Sequence, residues 1–167
     1  MNKSHNWWWR ASLVAGLLLL VVGAGQPARA GTWHNIEPLK SRRADVEREL
    51  GRPAADEPVA PDTLRFKVAG GRVTVSFVTP KFVQTKKLPA ALVGTVLEIV
   101  LQHDAAADTP DSMGLTKNND FQRDERGAVV VFRNLKDGLA YTFIEGRLRT
   151  TRYSPSTDEL VRAQVKG

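Results

Sequence analysis

Two runs of alternating side chains, joined by a glycine pair, constrain this fold more than any other feature of the sequence. Between Leu64 and Phe77, apolar residues occupy every second position on either side of Gly70 and Gly71. A period of two sends alternate side chains to opposite faces of a strand, and two glycines suit a two-residue turn. The segment therefore predicts a β-hairpin with one apolar face and one polar face.

Four further segments complete a predicted sheet of about six strands. Residues 95–102 form a more continuously apolar run, which indicates a third strand at the centre of the sheet. Residues 128–133, 139–144 and 147–153 alternate again and are separated by short polar turns. Three consecutive strands with short turns are typical of an antiparallel meander. Most of the predicted sheet is therefore antiparallel.

Residues 36–53 predict a short helix ahead of the strands. Ser41 suits the N-cap position, and Gly51 followed by Pro53 ends the helix. Val46 and Leu50 are four residues apart, so they share one face. An isolated helix of this length is marginal in water, and it must therefore pack on the sheet.

The resulting fold class is α+β, with a short N-terminal helix packed on a mostly antiparallel sheet. Ser156 and Glu159 form a capping-box pattern that predicts a second short helix starting at Thr157. A leucine, a hydroxyl residue and an acid followed by an apolar residue precede both groups of three strands. This similarity predicts two tandem helix-plus-meander units, residues 36–102 and 113–153, within a single domain of residues 31–167.

The N-terminal 30 residues have the order of a secretory signal peptide. Basic residues come first, an apolar stretch from Ala11 to Gly25 follows, and Ala28-Arg29-Ala30 provides a small-x-small cleavage pattern. We therefore expect cleavage near Ala30 and Gly31 and an exported product, periplasmic or secreted. The chain has no Cys, so it uses no disulfide and no lipid attached at a cleavage-site Cys.

The basic composition argues less for nucleic acid than it first suggests. The predicted signal contains three of the 24 Lys and Arg residues and none of the 18 acids, which leaves 21 against 18 and a net charge of +3. A mildly basic exported domain lacks the concentrated basic face that nucleic acids require. We expect no nucleic-acid partner, and at most peripheral contact with a membrane after cleavage.

Several segments resemble known exported families. The start, W-x2-I-x-PL-x-S-x-R-x-DVE from Trp33 to Glu47 followed by LG-x-P from Leu50 to Pro53, is similar to a group of exported bacterial proteins of unassigned function. More distantly, a helix, LG-x-P and antiparallel strands resemble the SmpA/OmlA (BamE-like) domain and the tandem units of β-lactamase-inhibitor-like proteins. The resemblance implies a helix packed on an antiparallel sheet that binds other proteins. The BamE-like proteins are lipoproteins, and this chain lacks the Cys to which their lipid is attached.

A search for catalytic groups leaves one weak candidate. The segment from His103 to Asp111 combines an imidazole with three carboxylates, but its spacing matches no known metal loop. We therefore predict no catalytic residue, no cofactor and no metal site, and a non-enzymatic protein. A metal-dependent or hydrolytic enzyme that uses the His103–Asp111 loop is the alternative.

The last predicted strand carries the candidate partner-binding residues, Arg147, Arg149 and Tyr153. A period of two places these three side chains on one face, with Arg152 opposite. Arg and Tyr are favoured anchors in protein interfaces. Charge on an edge strand also prevents aggregation, so edge protection is the competing interpretation.

Lys81, Lys86 and Lys87 lie in a predicted polar loop, residues 79–94, beside Phe82 and Val83. A loop with basic and apolar tips suits an anionic surface, so a peripheral binder of anionic lipid or glycan is a further alternative. The favoured expectation is a protein-binding domain, adaptor-like or inhibitor-like, whose partner is another envelope or extracellular protein.

Overall fold

The computed structural model of the protein describes residues 31–54 and 60–165. The predicted signal peptide, residues 1–30, lies outside the described residues. Within the described part, three α-helices and seven strands make the α+β fold that the sequence predicts. The helices are α1 (Arg43–Leu50), α2 (Pro80–Lys86) and α3 (Thr157–Ala163). The strands are β1 (Thr63–Val68), β2 (Gly71–Phe77), β3 (Val96–His103), β4 (Gln122–Arg126), β5 (Val129–Asn134), β6 (Leu139–Ile144) and β7 (Arg147–Tyr153).

All seven strands form one antiparallel sheet in the order β1-β2-β3-β7-β6-β5-β4. Two meanders, β1 to β3 and β4 to β7, therefore lie side by side and meet through their last strands. The middle position belongs to β7, so the prediction that the third strand is the most central one is wrong. The last strand returns to pair with β3, with Ile99 opposite Tyr153.

The sheet has one more strand than the alternation predicts. The additional strand, β4, reads Gln-Arg-Asp-Glu-Arg and pairs with β5 at the edge of the sheet. It has no apolar face, which is why period-two alternation does not reveal it. Charge along an exposed edge hinders pairing with other chains.

The main core lies between the first meander and α1. Val46 of α1 is fully buried, and it packs with alternate side chains of the first three strands, as the sequence predicts. Trp33 and Leu50 pack against the same cluster. Its buried members are Ile36, Val46, Leu64, Phe66, Val73, Val75, Phe77, Val96 and Ile99.

The long connection between β3 and β4 covers the same side of the second meander. Leu115 is buried with Phe132, Phe143 and Leu148, and Met113 packs against them. The Phe132 and Phe143 rings meet edge to face with 5.9 Å between centroids. The connection is therefore a packed layer that covers the second meander as α1 covers the first.

The predicted polar loop, residues 79–94, is largely helical. Thr79 caps α2 by accepting a hydrogen bond from the backbone N–H of Phe82 at 3.1 Å, and Pro80 occupies the first turn. Val83 is buried in a third cluster with Val78 and Leu88. Leu160 of α3 packs against this cluster, which ties the C-terminal helix to the body of the domain.

The caps of the other helices give one confirmation and one correction. Ser156 Oγ accepts from the Glu159 N–H at 3.1 Å, and Glu159 Oε2 accepts from the Ser156 N–H at 2.8 Å, so the predicted capping box forms. Ser41 is not the N-cap of α1, because its hydroxyl accepts from the Glu37 N–H. Arg42 is the N-cap, and its N–H donates to the Asp45 carboxylate at 2.9 Å.

Candidate functional site

The two faces of the sheet differ sharply in burial. On the face that α1 and the β3–β4 connection cover, which we name the inner face, each meander contributes fully buried residues. On the opposite face, which we name the open face, no side chain assigned by the strand register is buried. An antiparallel sheet with one face in water is ordinary, so the composition of the open face decides whether it carries a function.

The second half of the open face combines arginines with apolar side chains. Val129 lies opposite Ile144, and Arg133 lies opposite Ala140. Ile144 is 39% exposed, a high value for a large apolar residue in a strand. Arginine and apolar side chains together resemble the composition of protein interfaces.

Two ion pairs cross the open face between neighbouring strands. Arg152 Nη1 lies 2.9 Å from Glu98 Oε2, and Arg133 Nη1 lies 3.2 Å from Asp124 Oδ2. All four side chains keep more than a quarter of their surface in water. Exposed pairs of this kind contribute about 0–1 kcal/mol, so an incoming charge can exchange with them at little cost.

A bulge in β7 separates the three predicted partner-binding residues. Thr150 pairs with Thr142, and Leu148 pairs with Phe143, which leaves Arg149 without a cross-strand partner. The alternation therefore reverses within the strand.

Arg147, Arg149 and Tyr153 consequently do not share a face, and the prediction that they do is wrong. Tyr153 points to the inner face and packs against the main core. Arg147 is opposite Ile144 on the open side, and its guanidinium donates to the Ala107 carbonyl at 2.7 Å. Arg149 is exposed in the bulge. β7 is an interior strand of the sheet, and Tyr153 lies in the part of it that pairs with both β3 and β6, so Tyr153 does not protect an edge.

The environment of Tyr153 also argues against a role as an interface anchor. Burial raises the pKa of its phenol above the ordinary value, and the nearby Tyr141 phenol adds to the shift. Burial likewise raises the pKa of Tyr141. The arginine that reaches the open face from the end of β7 is Arg152, which the predicted alternation placed opposite the candidates.

Lys81, Lys86 and Lys87 are exposed on α2 and its C-terminal cap. The expected apolar tip does not accompany them, because Val83 is buried and Phe82 packs against the third cluster. Lys86 differs from the other two lysines in position. It lines a cleft between the open face and the two later helices.

That cleft, which we name the α3 cleft, has a volume of about 540 Å³. Leu97, Val131 and Leu160 supply apolar walls from β3, β5 and α3. Ligand pockets commonly have about 300–1,000 Å³ and combine apolar walls with a few polar groups. The cationic side chains at the α3 cleft are Lys86, Arg133 and Arg152, and its acidic side chain is Glu98.

Sequence reasoning missed the α3 cleft because its walls are far apart in the chain. The α3 cleft forms only when α2 has folded, β7 has returned to pair with β3, and α3 has packed against the domain. One local signal was available: Thr79 followed by Pro80 is the pattern of an N-cap and a first helical turn.

The His103–Asp111 segment does not assemble a metal site in the described part of the chain, where no group of three or more His, Cys, Asp and Glu residues is placed to hold an ion. His103 Nε2 lies 2.9 Å from Thr151 Oγ1. The Asp111 carboxylate accepts from Thr116 Oγ1 at 2.7 Å. The His103 imidazole and the Asp111 carboxylate therefore each have a hydrogen-bonding partner within the chain.

A second hollow, of about 510 Å³, lies at the end of the inner face beside Trp33. His34 and His103 both line it, and the His34 ring lies 4.3 Å from the Trp33 ring. Glu49 lines it as well and accepts a hydrogen bond from the Asn35 side chain at 3.4 Å. Glu49 and His103 are thus already engaged in hydrogen bonds within the chain.

Comparisons with known proteins assign no family. No protein-family model, no curated protein and no solved structure matches the chain. Across residues 31–54 and 60–165, no helix has the length and apolar character needed to cross a membrane.

Proposed function

We propose that this chain is an exported, non-enzymatic domain that binds another protein of the cell envelope through the open face of its sheet. The signal-peptide pattern of residues 1–30 supports export. A binding role is supported by the open face, which combines arginines with apolar side chains and carries no buried side chain assigned by the strand register.

One observation carries the proposal: the open face extends across the whole sheet without a buried side chain, while each meander buries an apolar cluster on the inner face. Two segments of this chain, α1 and the β3–β4 connection, pack on the inner face. No described element covers the centre of the open face, so it is available to a partner.

The size of the open face is adequate for a partner only if most of it is used. The sheet has seven strands. At a spacing of about 4.8 Å and about six residues a strand, its face measures roughly 600 Å². A stable complex buries about 800 Å² on each partner. The partner would therefore contact the face together with an adjoining surface, and the α3 cleft adjoins it.

A single charge on the open face tests the proposal. Thr150 lies near the middle of this face, opposite Thr142 and Gln102 and outside the α3 cleft. We expect Thr150→Glu to place an uncompensated carboxylate in the interface, which disfavours binding. Thr85→Glu is the matched control, because Thr85 is exposed on α2, belongs to no strand and does not line the α3 cleft.

The measurement is cross-linking of the tagged protein in its native envelope, followed by mass spectrometry. We expect one dominant partner that Thr150→Glu loses and Thr85→Glu retains, with both variants folded by circular dichroism. Capture that is unaffected by Thr150→Glu, or the absence of any specific partner at normal expression, would overturn the proposal.

A further inference from the structure

We infer that the α3 cleft binds an extended acidic segment of the partner and takes an apolar side chain from it, an inference that rests on the proposed protein-binding function. The cleft combines apolar walls with an excess of positive charge.

The apolar walls come from three directions. Leu97 and Val131 line the cleft from the sheet, Phe82 from α2 and Leu160 from α3. Each of these side chains is only partly buried, although Phe82, Leu97 and Leu160 also pack against the third core cluster. An apolar side chain that enters from a partner would extend this cluster and remove the exposed surface of its members from water.

The charges favour carboxylates beside that apolar side chain. Arg152 is paired with Glu98 at 2.9 Å, and Arg133 with Asp124 at 3.2 Å. Within the described residues, the ammonium group of Lys86 has no hydrogen bond or ion pair. Glu98 and Asp124 therefore compensate two of the three cations, Lys86 leaves an excess of one positive charge, and a partner that buries this site needs negative charge to compensate it.

The rim of the cleft adds an exposed apolar lip. Leu135 is 57% exposed, and its carbonyl accepts from the Thr157 N–H at 3.0 Å at the start of α3. Val161 is 61% exposed and lies one helical turn after Thr157, on the same side of α3. Exposed apolar residues at the rim indicate that a partner contacts the rim in addition to placing a side chain in the cleft.

A protein segment fits these features better than an anionic lipid does. The cleft is continuous with the open face, because Ala140 and Thr142 belong to both. An extended segment can lie across such a surface and insert alternate side chains. A free fatty acid requires an enclosed apolar channel for its chain, so laurate is the informative competing probe.

The experiment uses a displayed library of random decapeptides on the full mature chain. We expect the enriched peptides to contain a large apolar residue with Asp or Glu close on either side, and their binding to weaken as salt increases. Lys86→Glu should reduce their affinity roughly three- to tenfold, as reversal of one rim charge implies. Lys81→Glu is the matched control, because Lys81 is exposed on the same helix and does not line the cleft.

A second variant separates this inference from the proposed function. Ala140→Trp fills the cleft from an open-face position of β6 and should abolish enrichment of the peptides. Enriched peptides without acids, peptides that bind Ala140→Trp equally well, or cleft binding of laurate alone would overturn the inference. If Thr150→Glu abolishes capture in the envelope while Lys86→Glu and Ala140→Trp leave it intact, the open face binds a partner and the α3 cleft does not take part.

Discussion

Replacing Gly138 by alanine should loosen the attachment of α3, and the magnitude follows from the structure. Gly138 ends the loop between β5 and β6 with φ +64°, a left-handed conformation that costs an alanine about 1–2 kcal/mol. A methyl group here would also overlap the Ser154 carbonyl oxygen, with Ser154 C at 3.0 Å and Pro155 C at 3.1 Å. These two residues lead from β7 into α3.

The backbone contact at Gly138 is part of what holds that connection. Its carbonyl accepts from the Ser154 N–H at 2.8 Å and from Ser154 Oγ at 3.2 Å. Forcing the two segments apart adds strain of about 1–3 kcal/mol, and it weakens hydrogen bonds worth about 0.5–1.5 kcal/mol each. We therefore expect Gly138→Ala to lower the free energy of unfolding by about 2–5 kcal/mol, and by more where these hydrogen bonds weaken.

Gly127 provides a matched control because it shares the conformation without the close approach. Its φ is +60°, and no atom lies within 4 Å of the position that a Cβ would occupy. Gly127→Ala should therefore cost only the conformational penalty of about 1–2 kcal/mol. Urea unfolding of both variants measures the difference, and losses that agree within about 0.5 kcal/mol would refute the reasoning from the close approach.

Two further predictions concern the helix caps. Ser156→Ala removes the hydroxyl that accepts from the Glu159 N–H, and it should lower the free energy of unfolding by about 1 kcal/mol. Urea unfolding measures this loss. Thr157→Ala, at an exposed position, is the control and should cost less. The pKa of the Asp45 carboxyl lies below its ordinary 3.8, mainly because the Arg42 backbone N–H donates a hydrogen bond to it and secondly because the Arg48 guanidinium does so. A lowered folded-state pKa gives stability that is present above the unfolded pKa and is lost as the pH falls through the folded value. The wild type should therefore melt above Asp45→Asn at neutral pH, with the difference shrinking below about pH 4; a constant difference would contradict the assignment.

Much of the fold could be predicted because its signals are local. Alternation around Gly70 and Gly71 identifies the first hairpin, and the capping box at Ser156 identifies α3. The C-terminal end of α1 also follows from a local signal, since Gly51 adopts φ +81° where the helix stops. Each of these features depends on a few neighbouring residues, whose conformational preferences the tertiary structure does not override.

The site was harder to predict because it depends on contacts between distant segments. The bulge at Arg149 reverses the alternation of β7, and a regular period of two gives no sign of it. Burial of Tyr153 follows from its pairing with Ile99, more than 50 residues earlier in the chain. The alternation therefore identified β7 correctly. Which face each of its side chains occupies could be assigned only from the pairing of β7 with its neighbouring strands.

The measurement that tests the central claim most directly is photo-cross-linking from defined positions in living cells. A photoreactive amino acid at Thr150 reports on the open face, and one at Thr116 reports on the exposed outer side of the β3–β4 connection. If the open face binds an envelope protein, Thr150 should give a discrete adduct and Thr116 should give none. Equal adducts from both positions, or an adduct from Thr116 alone, would contradict the account.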